Sequence, residues 1–162
     1  KRAWFDDGTP LGSSVNEECK IDSIAQSWSV LSGAGDANKI SQALESSYKY
    51  LVNKDAQIIQ LLEPPFDKSE LAPGYIKGYV PGIRENGGQY THSAVWMIMA
   101  FATLGDNNKV WSLLNMINPI YHPLTSESMS IYNIDPYVFA AGIYARQPRE
   151  RRGGRAWYTV SL

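Results

Sequence analysis

The sequence predicts a mainly all-α fold: an arc of paired helices of the α/α toroid or solenoid kind, interrupted by short β segments and long loops. Three observations carry that expectation. Apolar residues recur at helical spacing in separate blocks. Connections of two to four residues join neighbouring blocks into antiparallel pairs. Aspartates stand at the heads of several blocks, where a carboxylate can accept the unpaired N–H groups of a first turn. Roughly five helices are visible, too few to close a toroid of helix pairs.

The first helix spans 22–32, with Ile24, Ala25, Trp28 and Leu31 on one face, Asp22 as N-cap and Gly33 as the stop. The second spans 36–52 behind Asp36, and Ile40, Ala43, Leu44, Ser47, Tyr48 and Leu51 form its stripe. The "IIQLL" of 58–62 reads as a short strand, and the Pro/Gly-rich stretch after it as a long loop. Loops of that length inside a domain tend to carry function, and this one holds Phe66, Tyr75 and Tyr79. The third helix, 89–104, is apolar nearly all round after His92, which predicts burial. Asp106 or Asn107 caps a fourth over 107–117, pairing with the third as the first pairs with the second. "DPYVFAAGIYA", 135–145, reads as a fifth helix with Pro136 in its first turn.

Composition narrows the function classes. The chain has 162 residues, 44% hydrophobic and 19% charged, which excludes disorder. A net charge of −1 gives no electrostatic reason to expect nucleic acid or an anionic membrane as partner. The basic "RQPRERRGGR" of 146–155 is local and reads as a solvated tail. Cys19 is the single cysteine, so no internal disulfide forms and a reducing, cytoplasmic location is expected. With carboxylates around it, Cys19 reads as a small packed residue rather than a nucleophile. No run approaches the roughly 20 apolar residues of a membrane span. The first residues lack both an initiator Met and a signal-peptide core, so the chain reads as a piece of a longer one. Five Trp, ten Tyr and four Phe suit a carbohydrate site, where rings cover sugar faces and polar groups bind hydroxyls.

The stretch 81–96, "PGIRENGGQYTHSAVW", gathers Arg84, Glu85, Asn86, Gln89, Tyr90, Thr91 and His92 around a Gly-Gly break before the third helix. The Gly-Gly break is expected to free backbone N–H groups at a helix start, which with the helix dipole favour an anion, and Arg84 could add charge-assisted contacts. His92, Arg84 and Thr91 therefore make a candidate oxyanion or phosphate site, against the alternative of a core or capping histidine. "FDDG" reads as a turn and Asp22 as a cap, so no carboxylate pair stands out as an acid/base dyad. No spacing suggests a metal site, a Walker loop or a dinucleotide fingerprint.

Several motifs, in order, resemble one family. "RAWFDDGTPLGS", "NEECKIDSIAQSW", "LSGAGD", "PPFDKS", "PGYIKGYVPGIRENGGQYTH" and "DPYV" are similar to the C-terminal part of glycoside hydrolase family 94, and within it to the phosphorylase-like domain of cyclic β-1,2-glucan synthases. The resemblance covers nearly the whole chain. It implies a six-hairpin α/α toroid, of which 1–162 would be a C-terminal fragment. It implies inverting phosphorolysis of β-glucans or oligosaccharides, with inorganic phosphate as co-substrate, glucose 1-phosphate as product and no other cofactor. His92 matches the phosphate-holding histidine and Thr159 the threonine of the phosphate cradle. Arg84, Glu85, Tyr79, Gln89 and "DPYV" match the sugar-subsite region. The family's general acid lies in a "DWND"-type motif, which does not occur here. It is expected on the remainder of a parent polypeptide, leaving this piece inactive alone. Val160 also stands where the family has glycine, which would obstruct backbone approach to phosphate. The resemblance is compatible with a homodimeric parent and with attachment to the inner membrane through regions absent here. The alternatives are a non-catalytic carbohydrate-binding or assembly module, or a degenerate remnant.

Overall fold

The computed structural model describes residues 1–70 and 72–157. Four helices form where periodicity and caps place them. In α1 (Ser23–Leu31) the Asp22 carboxylate accepts the N–H groups of Ile24 and Ala25, and in α2 (Ala37–Leu51) Asp36 accepts that of Asn38. The third, α3 (Thr91–Thr103), is followed by α4 (Asn107–Ile117), where Asp106 accepts the Lys109 N–H at 3.1 Å. The expected pairs are present: α1 packs on α2 and α3 on α4, while α1 also packs along α3. Val30, Leu44, Leu51, Met97, Phe101 and Leu113 meet in the core between them. Each such side chain contributes about 1.5–3 kcal/mol by leaving water.

The mainly all-α expectation is corrected. Among the described residues five helices alternate with ten two-residue strands in five antiparallel pairs, a mixed α/β architecture. β1 (Ala3–Trp4) pairs with β2 (Pro10–Leu11), and β3 (Ile21–Asp22) leads into α1. β4 (Val52–Asn53) and β5 (Ile58–Ile59) pair just beyond α2, and β6 (Leu62–Glu63) returns to β3. β7 (Gln89–Tyr90) precedes α3 directly. Two residues are too short to show strand alternation, and the pairing of β3 with β6 is a tertiary event that no local window reveals.

The second half holds three further corrections. A short helix, α5 (Ser126–Tyr132), forms behind a capping box of Thr125 and Ser128 and ends at Asn133 in the left-handed conformation (φ 55°). Its polar "SESMSIY" offers almost no stripe. The segment 135–145 is not helical: it forms β8 (Phe139–Ala140) and β9 (Gly142–Ile143), β9 pairing with β7. A Cβ on Gly142 would stand 2.8 Å from the Gln89 carbonyl oxygen, so glycine permits that pairing. The basic 146–155 stretch folds back as a turn rather than trailing as a tail, with Arg146, Arg149, Arg152 and Arg155 exposed to solvent as expected. The Tyr144 N–H donates to the Arg152 carbonyl and the Tyr144 carbonyl accepts from the Arg151 N–H, the Gly154 N–H reaches the Gly142 carbonyl, and β10 (Ala156–Trp157) pairs with β8.

Candidate functional site

A tight turn builds the wall at 79–90. Arg84 is left-handed (φ 49°), Ile83 and Asn86 bridge across the turn, and the Gly88 N–H donates to the Arg84 carbonyl at 3.1 Å. A Cβ on Gly88 would stand 2.9 Å from both the nitrogen and the oxygen of Arg84, so the turn closes only around glycine. Buried Asn86 clasps it from below. Its Oδ1 accepts from the Phe66 N–H at 2.7 Å, and its Nδ2 donates to the carbonyls of Phe66 and Tyr79, both at 2.8 Å. In sequence Asn86 is one polar residue among many. Its clasping role depends on Phe66, which only the fold brings near.

The turn presents Arg84 and Glu85 to a cleft of about 180 Å³, which Tyr90, Ala141, Gly142, Tyr144, Gly154 and Arg155 complete. Glu85 Oε2 is buried with no hydrogen-bond partner among the described residues. A buried acceptor left unsatisfied is costly, and a ligand O–H or N–H would satisfy it. The exposed Arg84 guanidinium lies 5.3 Å from the Tyr79 ring centroid and donates to its hydroxyl at 3.4 Å. Tyr75, 68% exposed, meets Tyr79 edge-on at 6.1 Å. A larger groove of about 640 Å³ runs between Lys20, Gln26, Lys39 and Gln42, and none of the expected site residues lines it.

The remaining expected residues divide. His92 is in the first turn of α3 but does not line the cleft. Its ring stacks on Tyr90 (6.0 Å, 29°), which does, and tilts against Trp96 at 6.2 Å. Gln89 is buried, its Oε1 accepting the Ile59 N–H at 2.9 Å, so it fastens β5 to β7. Thr91 turns inward: its N–H and hydroxyl bind the carbonyls of Ala141 and Ala140. The expectation of free N–H groups at the Gly-Gly break is corrected, because β7 separates the glycines from the helix and the Gly88 N–H is engaged. Thr159 lies outside the described residues. Tyr144 and Arg155 line the cleft without having been expected, since their segments read as helix and tail. No cluster of three or more metal-ligating side chains occurs among the described residues.

A family model for the glycosyl hydrolase 94 superfamily catalytic domain matches residues 1–161. The chain belongs to that family. Cyclic β-(1,2)-glucan synthase NdvB of Rhizobium meliloti (strain 1021) is 47% identical over 161 residues, 99% of this chain and 6% of that protein. Solabiose phosphorylase of Paenibacillus borealis is 28% identical over 97% of this chain and 20% of its own length. N,N'-diacetylchitobiose phosphorylase of Vibrio furnissii is 24% identical over 98% of this chain and 19% of its own length. This family 94 chain thus spans between 6% and 20% of the length of these relatives, and the match includes the whole Arg84–Glu85 wall.

Proposed function

We propose that the chain forms part of the catalytic domain of a glycoside phosphorylase or cyclic β-1,2-glucan synthase, and supplies a sugar-binding wall with an adjoining phosphate contact. The observation that carries this reading is the cleft itself, where a Glu85 carboxylate oxygen without a partner among the described residues and the Arg84 guanidinium stand among Tyr90 and Tyr144. A sugar hydroxyl would donate to Glu85 and a second accept from Arg84, while the rings cover the apolar faces of an oligosaccharide or β-glucan.

In phosphorolysis an oxygen of inorganic phosphate forms a bond to the anomeric carbon as the glycosidic bond breaks. The departing sugar oxygen takes a proton from a general acid. Phosphate is itself the nucleophile, so no second carboxylate is needed to activate water, in keeping with the lack of a carboxylate pair in the sequence. His92, joined to the cleft through the Tyr90 ring, would donate an imidazole N–H to the phosphate, with Thr159 as a further contact. Tyr79 acts through Arg84, orienting its guanidinium by the ring and hydroxyl contacts.

Calorimetric titration of the 162-residue chain with a β-1,2-glucooligosaccharide tests this wall. Arg84→Ala and Glu85→Gln should each weaken binding about tenfold, the roughly 1.4 kcal/mol typical of one lost charge-assisted hydrogen bond. Affinities equal to that of the unsubstituted chain, in variants with unchanged circular dichroism, would rule the wall out.

A further inference from the structure

Glu18 lies on a different segment from the cleft, yet it holds the turn that leads to Tyr79, the partner of Arg84. The residue is 8% exposed. Its Oε1 accepts the backbone N–H groups of Asp67 (3.0 Å), Lys68 (2.7 Å) and Ser69 (3.2 Å), and its Oε2 accepts the Ser69 hydroxyl at 2.6 Å. Burial alone would raise the Glu18 carboxyl. The Ser69 hydroxyl and the three N–H groups outweigh it and hold the group below its ordinary 4.5. Four donors converging on one carboxylate form an anion nest, and without the carboxylate three backbone N–H groups lose their acceptor.

The turn at 67–69 is connected to Tyr79 by two routes. Lys77 donates to the Ser69 carbonyl, and Lys77 belongs to the 3₁₀ turn Gly74–Gly78, whose end hands the chain to Tyr79. Phe66, immediately before that turn, is tied through Asn86 to the Tyr79 carbonyl. On the neighbouring side the Cys19 N–H donates to the Pro64 carbonyl at 2.7 Å, which fixes Glu18 relative to the start of the same loop.

We infer that Glu18 is a positioning residue for the ligand cleft: by holding the turn at 67–69 it sets where Tyr79 stands against Arg84, which lines the cleft. The inference rests on reading the Arg84 cleft as a sugar site. A purely structural residue would lower stability without touching ligand affinity, and that difference is measurable.

The full 162-residue chain is compared with Glu18→Gln, Glu18→Ala and a control, Asp36→Ala, which removes the α2 cap far from the loop. Amide hydrogen exchange and calorimetry with a β-1,2-glucooligosaccharide are the two readouts. Exchange at Asp67, Lys68 and Ser69 should accelerate at least tenfold in Glu18→Ala and less in Glu18→Gln, which keeps one acceptor oxygen, while α3 is unaffected. Glucan affinity should fall about three- to tenfold in the same order, and Asp36→Ala should leave it unchanged. Faster exchange at 67–69 with wild-type affinity overturns the inference, as does faster exchange throughout the chain. Should Glu18→Ala fail to fold, Glu18→Gln carries the comparison. If the unsubstituted chain binds no glucan, the sugar-site reading is the one that fails. Glu18 is then judged on the NMR shifts of the Tyr79 ring and Arg84 guanidinium, and shifts unmoved in the variants refute its positioning role.

Discussion

His122 packs flat against Tyr132, with ring centroids 4.8 Å apart and planes 13° from parallel, and its Nε2 has no partner among the described residues. Burial, then the nearby Arg151 charge, lowers its pKa from 6.5 to about 4, against the pull of a hydrogen bond with the Met116 backbone. An unfolded chain takes up a proton as pH falls below 6.5, while the folded one stays neutral down to about 4. Stability contributed by neutral burial is therefore intact above 6.5 and declines across that window, by about 3 kcal/mol at its lower end. Denaturant unfolding at pH 7 and pH 4.5 should show the decline in the wild type and a flatter profile in His122→Phe. Identical profiles would contradict it. Cys19 illustrates the same effect in a thiol: burial first and the Asp22 carboxylate second push it up to about 12, so the packed-residue reading of the sequence agrees with the structure.

At the scale of elements, legibility followed locality. Asp22, Asp36 and Asp106 each accept from N–H groups within three residues of themselves, so α1, α2 and α4 could be read from the chain directly. The strand pairs could not, because β7 meets β9 across more than fifty residues of sequence and each contributes only two residues. The cleft divides along the same line. Arg84 and Glu85 sit in one dense motif, whereas Tyr144 and Arg155 arrive from the β9 hairpin, whose "VFAAGIYA" carries apolar residues without a period that separates strand from helix. The Gly-Gly pair was visible in sequence, but its purpose was not. Gly88 is there because the Arg84 backbone passes against it, rather than to release N–H groups for an anion. Gly88→Ala should therefore destabilise the fold by about 1–3 kcal/mol and weaken glucan binding together, since the displaced backbone is the one that aims Arg84. Thermal unfolding and calorimetry on the same sample check this, and a loss of stability alone would detach the turn from the site.

At the scale of the molecule, residues 1–161 match one family model, and the relatives that share this stretch include phosphorylases and a cyclic glucan synthase. The mixed α/β architecture explains how so short a stretch can present a wall: α1 to α4 share the core, and strand pairs and clasped loops hold the residues of the cleft together. Two arms meet there, the 79–90 turn with its cleft and the α3 start with His92, and Tyr90 connects them. The central claim is that these arms bind sugar and phosphate as coupled ligands. The most direct test is calorimetric titration of β-1,2-glucooligosaccharide into the chain with and without inorganic phosphate, repeated on His92→Ala. Phosphate should tighten glucan binding about tenfold in the wild type, and His92→Ala should abolish that enhancement while leaving glucan binding without phosphate intact. Glucan binding that ignores phosphate and is the same in His92→Ala would contradict the claim and favour a non-catalytic carbohydrate-binding module.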